Sequence, residues 1–152
     1  MAEKRELKVS AIKEGTVIDH LPCENAFRIV NVLELERFDN VMLIGLNLES
    51  RKMGQKSIIK VAGRFFTQAE IDKISLLAPD AVINIIKDYQ VKEKIRPQIP
   101  DLIENIVRCA NANCITNHDK VTSKFHVVER KPLKLRCHYC ERTIREQDIA
   151  LP

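Results

Sequence analysis

The sequence predicts an α+β chain in two unequal parts, a larger antiparallel-sheet domain over 1–96 and a small, cysteine-rich all-β domain over 97–152. Three observations carry that expectation. Over the first ninety residues, stretches of strand and helix character follow one another as strand, helix, strand, strand, helix, strand. A stretch at 91–100 holds Lys92, Glu93, Lys94 and Arg96, is punctuated by Pro97 and Pro100, and has linker chemistry. Beyond it stand four of the chain's 5 cysteines, in two closely spaced pairs.

Residues 6–12 alternate polar and apolar side chains at first and read as a strand ending at Gly15, with Thr16, Val17 and Ile18 as a short continuation. From 25 to 35, Phe27, Val30 and Leu33 recur at helical spacing and give a first helix. The runs 41–46 and 56–61 read as two strands, and Asn47, Ser50 and Gly54 make the segment between them a loop. Thr67 and Glu70 have the spacing of a capping box, in which the hydroxyl accepts from an amide three residues on and the carboxylate reaches back. A second helix starts there, with Ile71, Ile74 and Leu77 on one stripe. It stops at Ala78, because the residue before a proline is pushed out of the helical region. Residues 81–86 form a fourth strand running on toward Tyr89. This order matches the ferredoxin-like βαββαβ arrangement, an antiparallel sheet with both helices on one face. It puts the first strand between the third and fourth and leaves the second and fourth as edges. The 41–46 edge carries little charge to deter a second copy, so a homodimer through sheet extension is expected.

With 152 residues, 45% hydrophobic and 30% charged, the chain can bury one or two modest cores. No stretch approaches about 18 consecutive apolar residues, and the start carries Glu3, Lys4, Arg5, Glu6 and Lys8 rather than a signal-like segment. A cytoplasmic protein with no membrane partner is the expectation. The net charge of +4 divides evenly as +2 over 1–100 and +2 over 101–152, so there is no basic arm to neutralise many phosphates. Aromatic residues are only 5% of the chain and the run 56–61 has none, whereas a sheet that reads RNA stacks bases on aromatics. Nucleic acid is therefore not an expected partner.

Cys109 and Cys114 form a C-x4-C pair and Cys137 and Cys140 a C-x2-C pair, with 22 residues between them. Two short loops that each present two thiolates, with a small sheet between, make a tetrahedral Zn²⁺ site of the zinc-ribbon type. In so short a domain the metal supplies folding free energy. Two disulfides, an iron centre and four unrelated thiols are the rival readings, the first disfavoured by the expected compartment. A closed shell of four thiolates leaves no open position for metal catalysis, and His118, His126 and His138 read as surface histidines. Cys23, three residues after His20, reads as a half-buried thiol rather than a nucleophile.

In the third strand, period two places Lys56, Ile58 and Lys60 on one side and Ser57, Ile59 and Val61 on the other. The helices cover the apolar side, so Lys56 and Lys60 face the open side, near Asp19 and His20 at the end of the first strand and Asn84 and Lys94 on its other flank. Lysines and a histidine suit a phosphate chain, an aspartate suits ribose hydroxyls, and backbone at Ala11, Ile12 and Tyr89 suits a base edge. A nucleotide site and a merely solvated sheet face both remain open on the residues alone.

Taken together, the run Gly15 to His20 (Gly-Thr-Val-Ile-Asp-His), the segment Ile44 to Leu48, Met53 and Gly54 with Lys56, Lys60, Asn84, Ile86 and Tyr89, and the four cysteines with Asn111 and Asn113 closely resemble the regulatory chain of aspartate carbamoyltransferase from end to end. The resemblance implies a noncatalytic allosteric subunit of an enzyme of pyrimidine biosynthesis. It implies an effector site at Val9, Ala11, Ile12, Val17, Asp19, His20, Lys56, Lys60, Asn84, Ile86, Tyr89, Val91 and Lys94 for CTP and ATP, with UTP as a further candidate. It also implies one structural Zn²⁺ on Cys109, Cys114, Cys137 and Cys140, and contact with the catalytic chain at Asn111 and Asn113. Regulatory homodimers within a dodecameric holoenzyme complete the expected assembly.

Overall fold

The computed structural model describes residues 11–150, and the chain divides into two compact units, Met1–Gln98 and Ile99–Pro152. The first is built from β1 (Gly15–Leu21), α1 (Ala26–Val32), β2 (Met42–Ser50), β3 (Gly54–Ala62), α2 (Gln68–Leu77), β4 (Val82–Lys87) and β5 (Gln90–Ile95). All neighbouring strands run antiparallel in the order β2-β3-β1-β4-β5. One sheet face carries Thr16, Ile18, Ser57, Ile59, Val61 and Ile83, all buried, as are Ile29 of α1 and Ile74 of α2. The helices pack on each other, and α1 packs on β3. The Asn25 side-chain amide ties the two helices by donating to Leu77 O at 2.6 Å.

α2 begins as expected. Thr67 Oγ1 accepts from Glu70 N at 3.3 Å, and Glu70 Oε1 accepts from Thr67 N at 3.0 Å. The Glu70 carboxylate also takes the Arg64 guanidinium at 2.6 Å. Thr67→Ala removes one half of this box and is expected to cost about 1 kcal/mol, read as a lowered urea midpoint; an unchanged midpoint would show that Arg64 alone holds the helix start.

Several expectations need correction. β1 begins at Gly15 rather than ending there, Ala11 to Glu14 are not strand, and residues 6–10 of the expected strand lie outside the described residues. The stripe of α1 is Ala26, Ile29, Val30 and Leu33, while Phe27 is 57% exposed. Phe27 and Val30 share a helical spacing, but the i, i+3, i+4, i+7 set that faces the core starts one residue earlier. Asn47 and Ser50 belong to β2 and not to a loop. Asn47 sits at φ 59 in a bulge, opposite Ser57, a left-handed conformation that asparagine accommodates.

The 91–100 stretch is not all linker, since its first half is β5, paired with β4. β4 is consequently an interior strand, and the edges are β2 and β5. Residues 90–94 are all exposed, so no apolar alternation marks the strand, and Lys92, Glu93 and Lys94 shield the edge from a second sheet. The turn into it is Asp88 and Tyr89 at φ 52 and 64, a hairpin turn of positive φ made without glycine.

The second unit is all-β, as expected, with β6 (Leu102–Glu104), β7 (Lys124–Arg130), β8 (Leu133–Cys137) and β9 (Thr143–Arg145) antiparallel in that order. Its core is small: Ile103, Val107, Phe125, Leu135 and Ile144, with the two cysteine loops at one end. The Arg130 guanidinium donates to Ile99 O and the Asp101 carboxylate, fixing the start of the unit to β7.

Candidate functional site

Register across the first unit assembles the residues that sequence spacing scatters. Val17 pairs with Lys60 on one side and Asn84 on the other, Lys60 pairs with Leu43, and Asn84 pairs with Lys94. Residues directly opposite share a face, so Leu43, Lys60, Val17, Asn84 and Lys94 form one row across all five strands on the side away from the buried face. Val17 of this row is buried together with Ile12 and Ile86, and Leu43, Ile58 and Ala62 pack against them. This apolar floor borders the polar row.

Asp19 follows Val17 onto the same face by period two, and a bulge brings His20 beside it. Ile18 pairs with Ile59 and Leu21 with Ser57, so two β1 residues oppose Ile58 alone. His20 takes φ 59 there, and its amide donates to Asp19 Oδ1 at 2.6 Å. Lys56 Nζ lies 2.9 Å from the same oxygen, in an ion pair whose side chains are only 21% and 18% exposed. His20 Nδ1 is 3.5 Å from it, too poorly aligned for a hydrogen bond. Burial pushes the Lys60 ammonium below the usual lysine range, against the opposing charge of Asp19. Among the described residues, the buried side-chain atoms without a hydrogen-bond partner are Ser57 Oγ, Arg64 Nη1, His20 Nδ1 and Asn84 Oδ1, and the last two belong to this face. Two polar atoms left this way beside cationic side chains are what a ligand with donor and acceptor groups would satisfy.

The remaining sequence-selected residues lie around this row. Tyr89 N donates to Lys13 O at 3.0 Å, which holds the segment of Ala11 and Ile12 next to the β4–β5 turn. Ala11, Tyr89, Val91 and Lys94 are exposed, Val91 standing opposite Ile86. Val9 lies outside the described residues. Leu43 and Ile58 were not singled out as site residues; period two puts Ile58 on the side of Lys56 and Lys60, whereas the place of Leu43 follows from cross-strand register, which leaves no local signal.

In the second unit, the Sγ atoms of Cys109, Cys114, Cys137 and Cys140 lie within 4.8 Å of one another. Cys109 and Cys140 are 3.6 Å apart, and Cys114 and Cys137 3.7 Å. A tetrahedral ion with bonds of about 2.3 Å separates its sulfurs by roughly 3.8 Å, so the donor set fits one. As free thiols the four differ. Burial pushes Cys109 up to about 12 against a hydrogen bond from the Asn111 backbone, and burial also raises Cys137. Burial acts in the same direction on Cys140, but the Arg142 backbone, the Asn111 side chain and the neighbouring thiols bring it down to about 7. Cys114 is likewise raised by burial, yet lowered overall by hydrogen bonds from Thr116, whose hydroxyl stands 3.2 Å from its sulfur.

Asn111 and Asn113 sit in the first cysteine loop, where Asn111 Oδ1 accepts from Asn113 N at 3.1 Å. Asn117, which sequence reasoning passed over, braces that loop by donating to Cys109 O at 3.0 Å and Asn111 O at 2.8 Å. His118 and His138 are exposed and His126 half-buried, all outside the cluster.

Comparison with known proteins agrees with this division. A family model for the allosteric domain of the aspartate carbamoyltransferase regulatory chain matches residues 7–98, and one for the metal binding domain of that chain matches residues 101–150. Curated aspartate carbamoyltransferase regulatory chains are similar over nearly the whole length. That of Pyrococcus abyssi is 54% identical over 146 residues, covering 95% of this chain and 96% of its own. That of Thermococcus onnurineus is 54% identical over 145 residues, with 95% and 96% covered. The chain from the bacterium Bacteroides fragilis is 45% identical over 148 residues, with 97% of each covered. The protein belongs to the family of aspartate carbamoyltransferase regulatory chains, and is a noncatalytic subunit with an allosteric domain and a metal-binding domain.

Proposed function

We propose that the chain senses CTP and ATP, with UTP as a further effector, on the open sheet face of its 1–96 domain, and relays their binding to catalytic chains through its 97–152 domain. The carrying observation is the pair of buried, unpartnered atoms, His20 Nδ1 and Asn84 Oδ1, beside the row that holds Lys60 and Lys94. Lys60, Lys94, Asn84 and His20 take phosphate and ribose oxygens. Asp19 takes the ribose hydroxyls, with Lys56 swinging from Asp19 toward the phosphates. The base lies over Ile12, Val17 and Ile86, its edge read by backbone at Val9, Ala11, Tyr89 and Val91.

The metal is Zn²⁺, held by Cys109, Cys114, Cys137 and Cys140; it knits the loop bearing Asn111 and Asn113, which meets the catalytic chain. The β2 edge, with exposed Leu46, Val41 just before it and Glu49 as its single charge, joins two regulatory chains within a cytoplasmic dodecamer. Effectors act by binding the quaternary states of that assembly unequally, a coupling of about 1–3 kcal/mol in typical systems.

Calorimetric titration with CTP tests the sensing site. Lys60→Ala and Lys94→Ala are each expected to weaken binding by at least about tenfold, or about 1.4 kcal/mol, with zinc content unchanged. Wild-type affinity in both variants would refute the site. Salt-steep binding of an oligonucleotide in place of CTP would favour a nucleic-acid role instead.

A further inference from the structure

Apart from the row and the thiolate centre, two histidines of the second unit meet. His126 lies on β7, opposite Leu102 of β6 and Arg136 of β8, and His138 directly follows β8. His126 Nε2 and His138 Nδ1 are 3.0 Å apart, with the rings tilted by 40°. His138 is held in place from two sides. Its amide donates to Lys124 O at 2.8 Å, and its ring packs edge-on against Tyr139 with centroids 5.1 Å apart. The Tyr139 hydroxyl donates to Thr122 O at 3.1 Å.

Two imidazole nitrogens bound cis to one ion at about 2.0–2.1 Å stand roughly 2.9–3.4 Å apart, and the observed separation falls in that interval. The geometry points to a second metal site, a two-histidine clamp of His126 and His138 for a nitrogen-preferring divalent cation of the Ni²⁺, Cu²⁺ and Zn²⁺ class. The surroundings set its selectivity. The residues opposite His126 are Leu102 and Arg136, and neither offers an oxygen ligand from its side chain. Hard cations such as Mg²⁺ and Ca²⁺, which need oxygen ligands, gain nothing there, whereas late transition metals bind imidazole alone. Water completes the coordination. The clamp is therefore exchangeable, unlike the closed shell of four thiolates.

The test uses the untagged full-length chain with its cysteine centre loaded with zinc, titrated calorimetrically with Ni²⁺. The wild type is expected to bind a single Ni²⁺ at the clamp, and His126→Gln and His138→Gln each to weaken that binding by at least about tenfold. His118→Gln, exposed and outside the pair, is expected to leave it unchanged, and Mg²⁺ to give no binding. Zinc content measured on each variant separates loss of the clamp from loss of the fold. In the unsubstituted protein, Ni²⁺ is expected to broaden the ring-proton resonances of His126 and His138 before those of His118. Absence of Ni²⁺ binding, affinity unaffected by both clamp variants, or broadening that spares these rings would overturn the site and leave the pair a hydrogen bond only.

Discussion

Cys114→Ser is expected to empty the second unit of metal and unfold it, while the first unit keeps its sheet. Cys114 is 2% exposed, and its sulfur lies 3.7 Å from that of Cys137. A serine hydroxyl does not ionise near neutral pH and cannot replace an anionic soft ligand. The core it helps close is a handful of aliphatic side chains around Phe125, and units this short ordinarily need a metal or disulfides to fold. Structural zinc contributes on the order of 10 kcal/mol to small domains of this kind, more than the apolar contacts can replace. Metal analysis is expected to find the variant free of bound metal. Amide NMR spectra are expected to lose dispersion for residues of the second unit alone. A variant that retains one tightly held metal with a dispersed spectrum would remove the cysteine centre from its role in folding.

Gly15→Ala is expected to destabilise the first unit by at least about 3 kcal/mol. Gly15 has φ +139, and a Cβ there would come within 2.1 Å of Val61 O and 2.8 Å of Gly63 N. Both atoms are backbone. Gly15 pairs with Ala62 of β3 and Ile86 of β4 at once, so the clash cannot be relieved without loosening the central strand from its neighbours. Chemical denaturation reads the loss as a lowered midpoint. Since β1 also carries Val17, Asp19 and His20, CTP affinity is expected to fall with it. A loss under about 1 kcal/mol would mean that the start of β1 can shift away from β3.

How much of this could be read from residues alone depends on the range of the interaction involved. The capping box at Thr67 and Glu70, the stop before Pro79 and the grouping of Cys109, Cys114, Cys137 and Cys140 were legible because each rests on neighbours a few positions apart. β5 was not. Of this edge strand only its last residue, Ile95, turns to the core, opposite Ile83, and the charges before it resemble those of a linker. The expected stop at Gly15 was misplaced, because the close approach of Gly15 to Val61 is a contact between segments far apart in the chain.

By itself the sequence determined the fold class, the order of the main strands and helices and the grouping of the four cysteines. These follow from spacing and side-chain chemistry. Only the tertiary structure decided that Lys60, Val17, Asn84 and Lys94 stand in one row, and that a bulge brings His20 beside Asp19. The reason is register. Hydrogen bonds between strands tens of residues apart choose which side chains become neighbours, and a slip of one residue would send the whole set to the opposite face.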